Sequence, residues 1–392
     1  MPSESESFAP VHDDGPSEPA GPARGLCLSG GGYRAMLFHL GVLWRLNEAG
    51  WLGTLDRVSS VSGGSITAAT LASRWSDLSV GADGVASNFV DLVGAPLRRL
   101  AGRTIDVGSV LRGALWTGTV GDRVAAAYAR HLFGEATLQD LPDDAAGAPR
   151  FIFNATSLQS GALWRFTRET MGDYRVGYVR RPTLPLAQAV AASSAFPPFL
   201  SPAVLRLDPD AFAGGSDLGE PAYRSRIVLT DGGAYDNLGL ERVWKACGTV
   251  LVSDAGKKLA AETAPRRSWP LQFYRVVTVI DNQVRSLRIR QTQAAFHADP
   301  ESGAPHREGA YWGIRQDLAA YAARYGLDDV LDCPHAATLD LAATPTRLKR
   351  LSERRQERLI NWGYAACDTA LRARVDRTLP RGAFPYARGV AG

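Results

Sequence analysis

Apolar residues come in short runs that end in glycine, and each such run predicts a core strand leading through a turn into a helix. Arg24 to Ser29 (Arg-Gly-Leu-Cys-Leu-Ser) is the first. Gly30, Gly31 and Gly32 follow it, and Tyr33 to Ala49 then reads as a helix stopped by Gly50. That helix is apolar on most sides, which is the pattern of a buried helix. Val58 to Val61 is a β-branched run that favours a second strand. It ends in Ser62-Gly63-Gly64, and Ser65 to Arg74 reads as a helix rich in small residues. Two consecutive strand–turn–helix units predict parallel neighbours in an α/β sheet.

Further along, Phe151 to Thr156 reads as a buried strand, with Gly161 to Phe166 as part of a following hairpin. Leu186 to Ser194 is a small-residue helix that Pro197 and Pro198 must end. Arg226 to Thr230 is a strand that delivers Asp231-Gly232-Gly233, and Thr249 to Ser253 delivers Asp254-Ala255-Gly256 in the same way. Phe89 to Leu100 and Val107 to Trp116 mix apolar residues with arginines. They read as amphipathic helices packed on the core, in a region around 77–144 that has room for a cap or lid. Val276 to Ala295 reads as a helix carrying Arg285, Arg288 and Arg290 on a solvated face. A long amphipathic pattern runs over Leu348 to Val375.

Composition narrows the class. Of 392 residues, 45% are hydrophobic and 21% charged, which describes a globular protein. A net charge of +4 is small for this length and does not argue for nucleic-acid binding. Cys27, Cys247, Cys333 and Cys367 are scattered, so neither a zinc site nor a disulfide framework is expected, and a reducing compartment fits best. Residues 1–23 are acidic and rich in Ser, Pro and Gly, and read as a disordered tail without the basic start and apolar stretch of a signal peptide. The expectation is a cytoplasmic protein whose residues 24–392 form one catalytic domain with a helical C-terminal part. No apolar run reaches the length of a membrane-spanning helix.

The two glycine turns carry the candidate chemistry, because α/β folds place ligands at the carboxyl edge of the sheet. Ser62 sits where a strand turns into a helix within two or three residues, the geometry of a nucleophile elbow. Ser60 stands where the Gly-x-Ser-x-Gly pattern has its first glycine, and Gly64 keeps the second. Taken alone, the segment reads equally well as a Ser-Gly-Gly turn capping a helix. Gly30-x-Gly32-x-x-Ala35 satisfies a loose dinucleotide fingerprint, but the second strand lacks the acidic residue that reading needs at its end. A P-loop would need Gly-Lys-Ser/Thr after the glycines, and none is present. An oxyanion hole serving Ser62 explains both turns together.

A serine hydroxyl needs a base within reach. A Ser62, Asp254 and His335 triad has the chain order of an α/β-hydrolase, yet no later histidine follows a core strand. Asp231 does, beside glycines that leave room around it, although Asp-Gly is commonly only a turn.

Four blocks together resemble the patatin-like phospholipase family. They are Ser29-Gly30-Gly31-Gly32-Tyr33-Arg34, Ser60-Val61-Ser62-Gly63-Gly64, Ala192-Ser193-Ser194-Ala195-Phe196-Pro197-Pro198 and Asp231-Gly232-Gly233. The likeness spans most of residues 24–256, although the family often has Asp where Ser29 stands and Gly where Ala35 stands. It implies a three-layer fold with a mostly parallel central sheet flanked by helices, and a Ser–Asp dyad of Ser62 and Asp231. It also implies oxyanion binding by the amides of Gly30, Gly31 and Gly32, with Arg34 steadying the loop or meeting a lipid phosphate. The substrate would be a membrane lipid or lysolipid ester, with peripheral membrane contact and no cofactor, metal or nucleic acid. A dyad without histidine predicts no essential group titrating near the histidine value of about 6.5. The competing expectations are a non-catalytic membrane- or partner-binding module on the same fold and the Ser-Asp-His esterase using His335.

Overall fold

The computed structural model describes residues 21–105, 119–197, 200–265, 268–302 and 306–392. The first 20 residues of the acidic tail, the predicted helix Val107 to Trp116, and Pro198 and Phe199 lie outside the described residues. Gly21 is already in a strand, so residues 21–23 belong to the sheet and not to the tail.

Eleven strands among the described residues join into one sheet. They are β1 (Gly21–Leu28), β2 (Arg57–Val61), β3 (Arg150–Ser157), β4 (Leu163–Phe166), β5 (Thr170–Asp173) and β6 (Gly177–Arg180). The rest are β7 (Ala203–Arg206), β8 (Phe212–Ala213), β9 (Arg226–Asp231), β10 (Cys247–Asp254) and β11 (Glu308–Gly313). The order is β11-β10-β1-β2-β3-β4-β5-β6-β8, with β9 paired to β3 and β7 to β9. The five strands from β11 to β3 run parallel. From β3 outward the pairs are antiparallel, beginning with the predicted hairpin partner β4.

The parallel part is covered on both faces, as such sheets require. Alternation along β1 shows the two layers: Leu26 and Leu28 join the core that holds helix α1 (Gly32–Glu48), while Cys27 points the other way. There it packs with Leu238, Val243 and Phe296 in a second, smaller core. The apolar character of α1 has the predicted outcome, since all but two of its residues are buried. Its main neighbour is the helix Glu353–Arg374, and two glycines set how closely they approach. A Cβ on Gly41 would lie 1.9 Å from the Ile360 carbonyl oxygen, and one on Gly363 would lie 1.8 Å from that of Phe38. The Arg45–Asp368 ion pair, 2.7 Å and buried, ties the same two helices.

The 77–144 region packs onto the core where it is described. Residues 90–101 are helical and bury Val93, Leu97 and Leu100, as the amphipathic reading expected. The helix predicted over Val276 to Ala295 runs from Trp269 to His297. Its Arg285 and Arg288 do not face solvent: Arg285 pairs with Asp254 at 2.7 Å and Arg288 with Glu241 at 3.2 Å. No helix among the described residues is long and apolar enough to cross a membrane.

Candidate active site

β2 ends at Val61 and helix α2 (Gly63–Ala72) begins two residues later, so the chain turns through Ser62 alone. Ser62 has φ 52° and ψ −119°, a conformation that a residue with a Cβ keeps only when its surroundings impose it. The cause is close backbone packing. A Cβ on Gly63 would sit 2.2 Å from the Gly32 carbonyl oxygen, and one on Gly64 would sit 2.4 Å from that of Leu28. The N-terminus of α2 is thus pressed against the glycine turn after β1, and only glycines fit there. The Ser62 side chain makes no capping bond to α2, which separates this turn from an ordinary serine cap.

The glycine turn wraps the other side of Ser62. Gly30 lies against it, with a built Cβ 3.2 Å from Ser62 Cβ, and Gly31 and Gly32 take φ of 147° and 60°. Gly30 donates its N–H to the Asn237 carbonyl at 3.1 Å, so that amide is already committed. The amides of Gly31, Gly32 and Gly63 have no acceptor among the described residues. Gly31 and Gly32 open α1, where the helix dipole adds positive potential.

Asp231 reaches the serine through strand register. Val61 is level with Asn154 of β3, and the next β3 residue, Ala155, pairs with Asp231. β9 runs antiparallel to β3, so the aspartate arrives from the opposite direction at the height of Ser62. Asp231 is 3% exposed and Ser62 7%. The Gly233 N–H donates to Asp231 Oδ1 at 2.7 Å, while Oδ2 is buried and has no hydrogen-bond partner. Burial pushes the Asp231 carboxyl up to about 7. The Gly233 N–H and the Ser62 hydroxyl beside it pull the other way, and the charge of Asp281 pushes it up further. This puts the Asp231 carboxyl in the range where histidine titrates, because it is almost completely desolvated; a dyad that used it would have an acid limb there, contrary to the expectation of no essential group in that range.

Neighbouring side chains lock this arrangement. Ser193 Oγ accepts the Ser62 N–H at 3.1 Å and is bonded to Ser65 Oγ at 2.8 Å, which in turn meets Ser60 Oγ at 3.0 Å. Here the Ala192-Ser193-Ser194 block acquires a task. Asn154 Nδ2 clamps the end of β2 through Ser59 Oγ and the Ser60 carbonyl, both at 2.9 Å. Asn237 stands between the glycine turn after β1 and that after β9, with Oδ1 where a Cβ on Gly30 or Gly233 would otherwise go. From the 77–144 region Tyr128 comes close to Ser194 and Asp231, and burial raises its phenol pKa. Neither asparagine, nor Tyr128, stands out in the sequence; Asn237 carries only the weak signal of following Asp231-Gly232-Gly233 closely.

Two predicted roles end differently. Arg34 is fully buried, with Nε and Nη2 bonded to the Ala255 carbonyl at 3.1 and 2.9 Å and Nη1 to that of Thr344 at 2.6 Å. It supports the loop and is not placed to meet a phosphate. Ser29 Oγ accepts the Ala255 N–H at 2.7 Å and fastens the same turn. The Ser-Asp-His arrangement does not form: Asp254 is engaged by Arg285, by Tyr311 at 2.7 Å and by the Gly256 N–H, and no hydrogen bond links His335 to Asp254 or Ser62. No group of three or more His, Cys, Asp or Glu suited to a metal ion occurs among the described residues.

The site and fold have recognisable relatives. In solved structures the chain resembles human GIVD cytosolic phospholipase A2, with a TM-score of 0.52 and 16% identity over 90% of this chain and 61% of that one. The same human protein in complex with methyl gamma-linolenyl fluorophosphonate inhibitor and terbium chloride gives 0.50 and 17%, over 89% and 58%. The likeness is one of fold, and the chain spans about three fifths of the length of that phospholipase. A comparison with curated proteins finds no match. The family model described as patatin-like phospholipase matches residues 26–244, more than half of the chain and every block of the site. The chain therefore belongs to the patatin-like phospholipase family.

Proposed function

We propose that this protein is a lipid acyl hydrolase that cleaves carboxylic esters of phospholipids or lysophospholipids through a dyad of Ser62 and Asp231. The observation that carries this is that strand register brings a strained, buried serine level with a buried carboxylate whose Oδ2 has no hydrogen-bond partner and is free to take a proton. Asp231 takes the Ser62 hydroxyl proton as Oγ attacks the ester carbonyl. The negative charge that moves onto the carbonyl oxygen is met by backbone N–H groups. The open amides of Gly31, Gly32 and Gly63 are the candidate donors, while Gly30, its N–H bonded to Asn237, shapes the wall beside Ser62. The protonated aspartate returns its proton to the leaving alkoxide, and an acyl-serine remains. Water, deprotonated by the same carboxylate, then releases the fatty acid and restores Ser62.

On this reading residues 21–392 act as one catalytic domain, which takes in the start of β1. Its four free cysteines suit the reducing cytoplasm, with peripheral contact to the membrane that holds the substrate. The test is fatty-acid release from mixed phospholipid vesicles by wild type, Ser62→Ala and Asp231→Asn, each checked for folding. A lipid-like fluorophosphonate, the reagent class in the human complex, adds a direct probe of the nucleophile. Release and labelling by wild type, both lost in Ser62→Ala, support the dyad. Neither release nor labelling by wild type overturns it and favours a non-catalytic module.

A further inference from the structure

The helix Trp269–His297 is 29 residues long and exposes a face that no soluble surface requires. Trp269, Phe273, Val276, Ile280, Val284 and Leu287 recur at intervals of three and four, which lines them along one side of a helix. All six are exposed: Trp269 by 75%, Phe273 by 63% and Ile280 by 58%. Leu271, Tyr274, Val277 and Val279 are exposed as well, so the N-terminal half of the helix is apolar around much of its girth. The rise of about 1.5 Å per residue from Trp269 to Leu287 makes this strip roughly 27 Å long. A contiguous apolar surface of that extent marks an interaction site.

The C-terminal half of the helix is anchored to the body. Arg285 reaches Asp254 at 2.7 Å, and Thr292, Ala295 and Phe296 are buried. The segment leading into the helix runs back along it. The Arg285 guanidinium donates to the Lys257 carbonyl at 2.9 Å, and that of Arg275 donates to the Ala260 carbonyl at 2.7 Å. This lays Lys257 and Lys258, both exposed, along one flank, with exposed Arg290 on the same helix. None of these three cations has an ion-pair partner among the described residues. Of the four arginines on the helix, Arg275, Arg285 and Arg288 pair with Glu262, Asp254 and Glu241, so Arg290, Lys257 and Lys258 are the cations left for an outside anion.

We propose that this helix is a docking element for an anionic phospholipid surface, lying in the membrane plane with its apolar strip inserted and its cations among the phosphates. Apolar and aromatic residues on one side and basic residues at the flanks are what such a surface selects. A second copy fits less well, because a symmetric pair would set cationic flank against cationic flank. The placement also suits the chemistry, a point that rests on the hydrolase reading. The helix packs on the Asp254–Gly256 turn whose Ala255 carbonyl holds Arg34 behind the glycine loop, and its Asp281 is near enough to Asp231 to act on its ionisation. Docking would thus bring lipid to the edge of the sheet that bears Ser62.

The test is co-sedimentation of the full chain with vesicles of phosphatidylglycerol in phosphatidylcholine, against phosphatidylcholine alone. Two variants are compared with wild type: Phe273→Asp with Ile280→Asp, and Lys257→Glu with Lys258→Glu. All four positions are exposed, so folding should survive, and circular dichroism checks it. Wild type should bind the anionic vesicles, less so in high salt. The apolar variant should bind about tenfold more weakly or worse, and the charge variant should lose the preference for anionic lipid. Hydrolysis of a water-soluble monomeric ester should not change in either. Vesicle binding equal to wild type in both variants overturns the proposal, as does an apolar variant that instead converts a dimer to a monomer in sedimentation velocity. Helix-dependent vesicle binding without ester hydrolysis by any form supports the docking helix while overturning the catalytic reading.

Discussion

Ser193 Oγ accepts the backbone N–H of Ser62 at 3.1 Å, and through it the turn that carries the proposed nucleophile is bonded to a different part of the chain. Ser62 needs such support because its positive φ is costly for a residue with a side chain. Replacing Ser193 by alanine leaves that N–H buried without an acceptor, at a cost of about 1–3 kcal/mol. Ser193→Ala should therefore unfold at lower denaturant. Its kcat on a soluble ester should fall by about tenfold or more as the nucleophile loosens. KM should stay near that of wild type, since Ser193 acts through Ser62.

In the proposed dyad Asp231 must be ionised to accept the Ser62 proton, and burial pushes its carboxyl up to about 7. The rate of hydrolysis of a non-ionising ester should therefore drop as pH falls below about 7, approaching tenfold per pH unit. His335→Ala should leave this profile unchanged. Asp281→Asn removes a negative charge that raises the Asp231 pKa, so the acid limb should move to lower pH. A pH–rate profile of the three proteins checks each point.

The same shift predicts a change in stability. The folded-state pKa of Asp231 lies above its unfolded value, so the folded protein binds the extra proton between about 4 and 7. The contribution of this group is fully present below that window and is lost as pH rises through it. Asp231→Asn is spared the loss and should be more stable than wild type at pH 8, by up to about 4 kcal/mol. The difference should shrink toward pH 4. Urea unfolding at both pH values tests this, and equal midpoints at pH 8 would contradict it.

Gly63→Ala isolates the contact between the two glycine turns. The new methyl would lie 2.2 Å from the Gly32 carbonyl oxygen, which is backbone and cannot swing away. Overpacking of this kind costs about 1–3 kcal/mol. Separating Gly63 from Gly31 and Gly32 should also cut kcat about a hundredfold if their amides act together on one oxyanion. Ala68→Gly, deeper in α2, removes a buried methyl without touching that contact. It should lower stability and leave kcat far less affected.

Much of this molecule is legible in the residue order because the signals involved are local. Apolar runs ending in glycine mark where strands stop, and the small residues around Ser62 mark where backbones must touch. The buried character of α1 follows from a helix with almost no polar side. The parallel neighbours β1 and β2 follow from two strand–turn–helix units in succession. The serine and its aspartate are also visible, as glycine-flanked residues at strand ends.

Other features depend on what meets at long range, and only the tertiary structure decided them. That β9 runs antiparallel and meets β3 at Ala155 is a matter of pairing, on which Arg226–Asp231 by itself is silent. Arg34 looked able to bind phosphate until the Ala255 and Thr344 carbonyls, both remote in sequence, closed around it. Asp231 took a pKa in the histidine range because the packed fold strips it of water, a property of its surroundings and not of an Asp-Gly-Gly turn. The helix Trp269–His297 shows the converse. Its apolar periodicity is written in the chain, but periodicity cannot say whether such a face is covered. The fold leaves it bare because the body of the protein packs on the C-terminal half of the helix, around Thr292, Ala295 and Phe296.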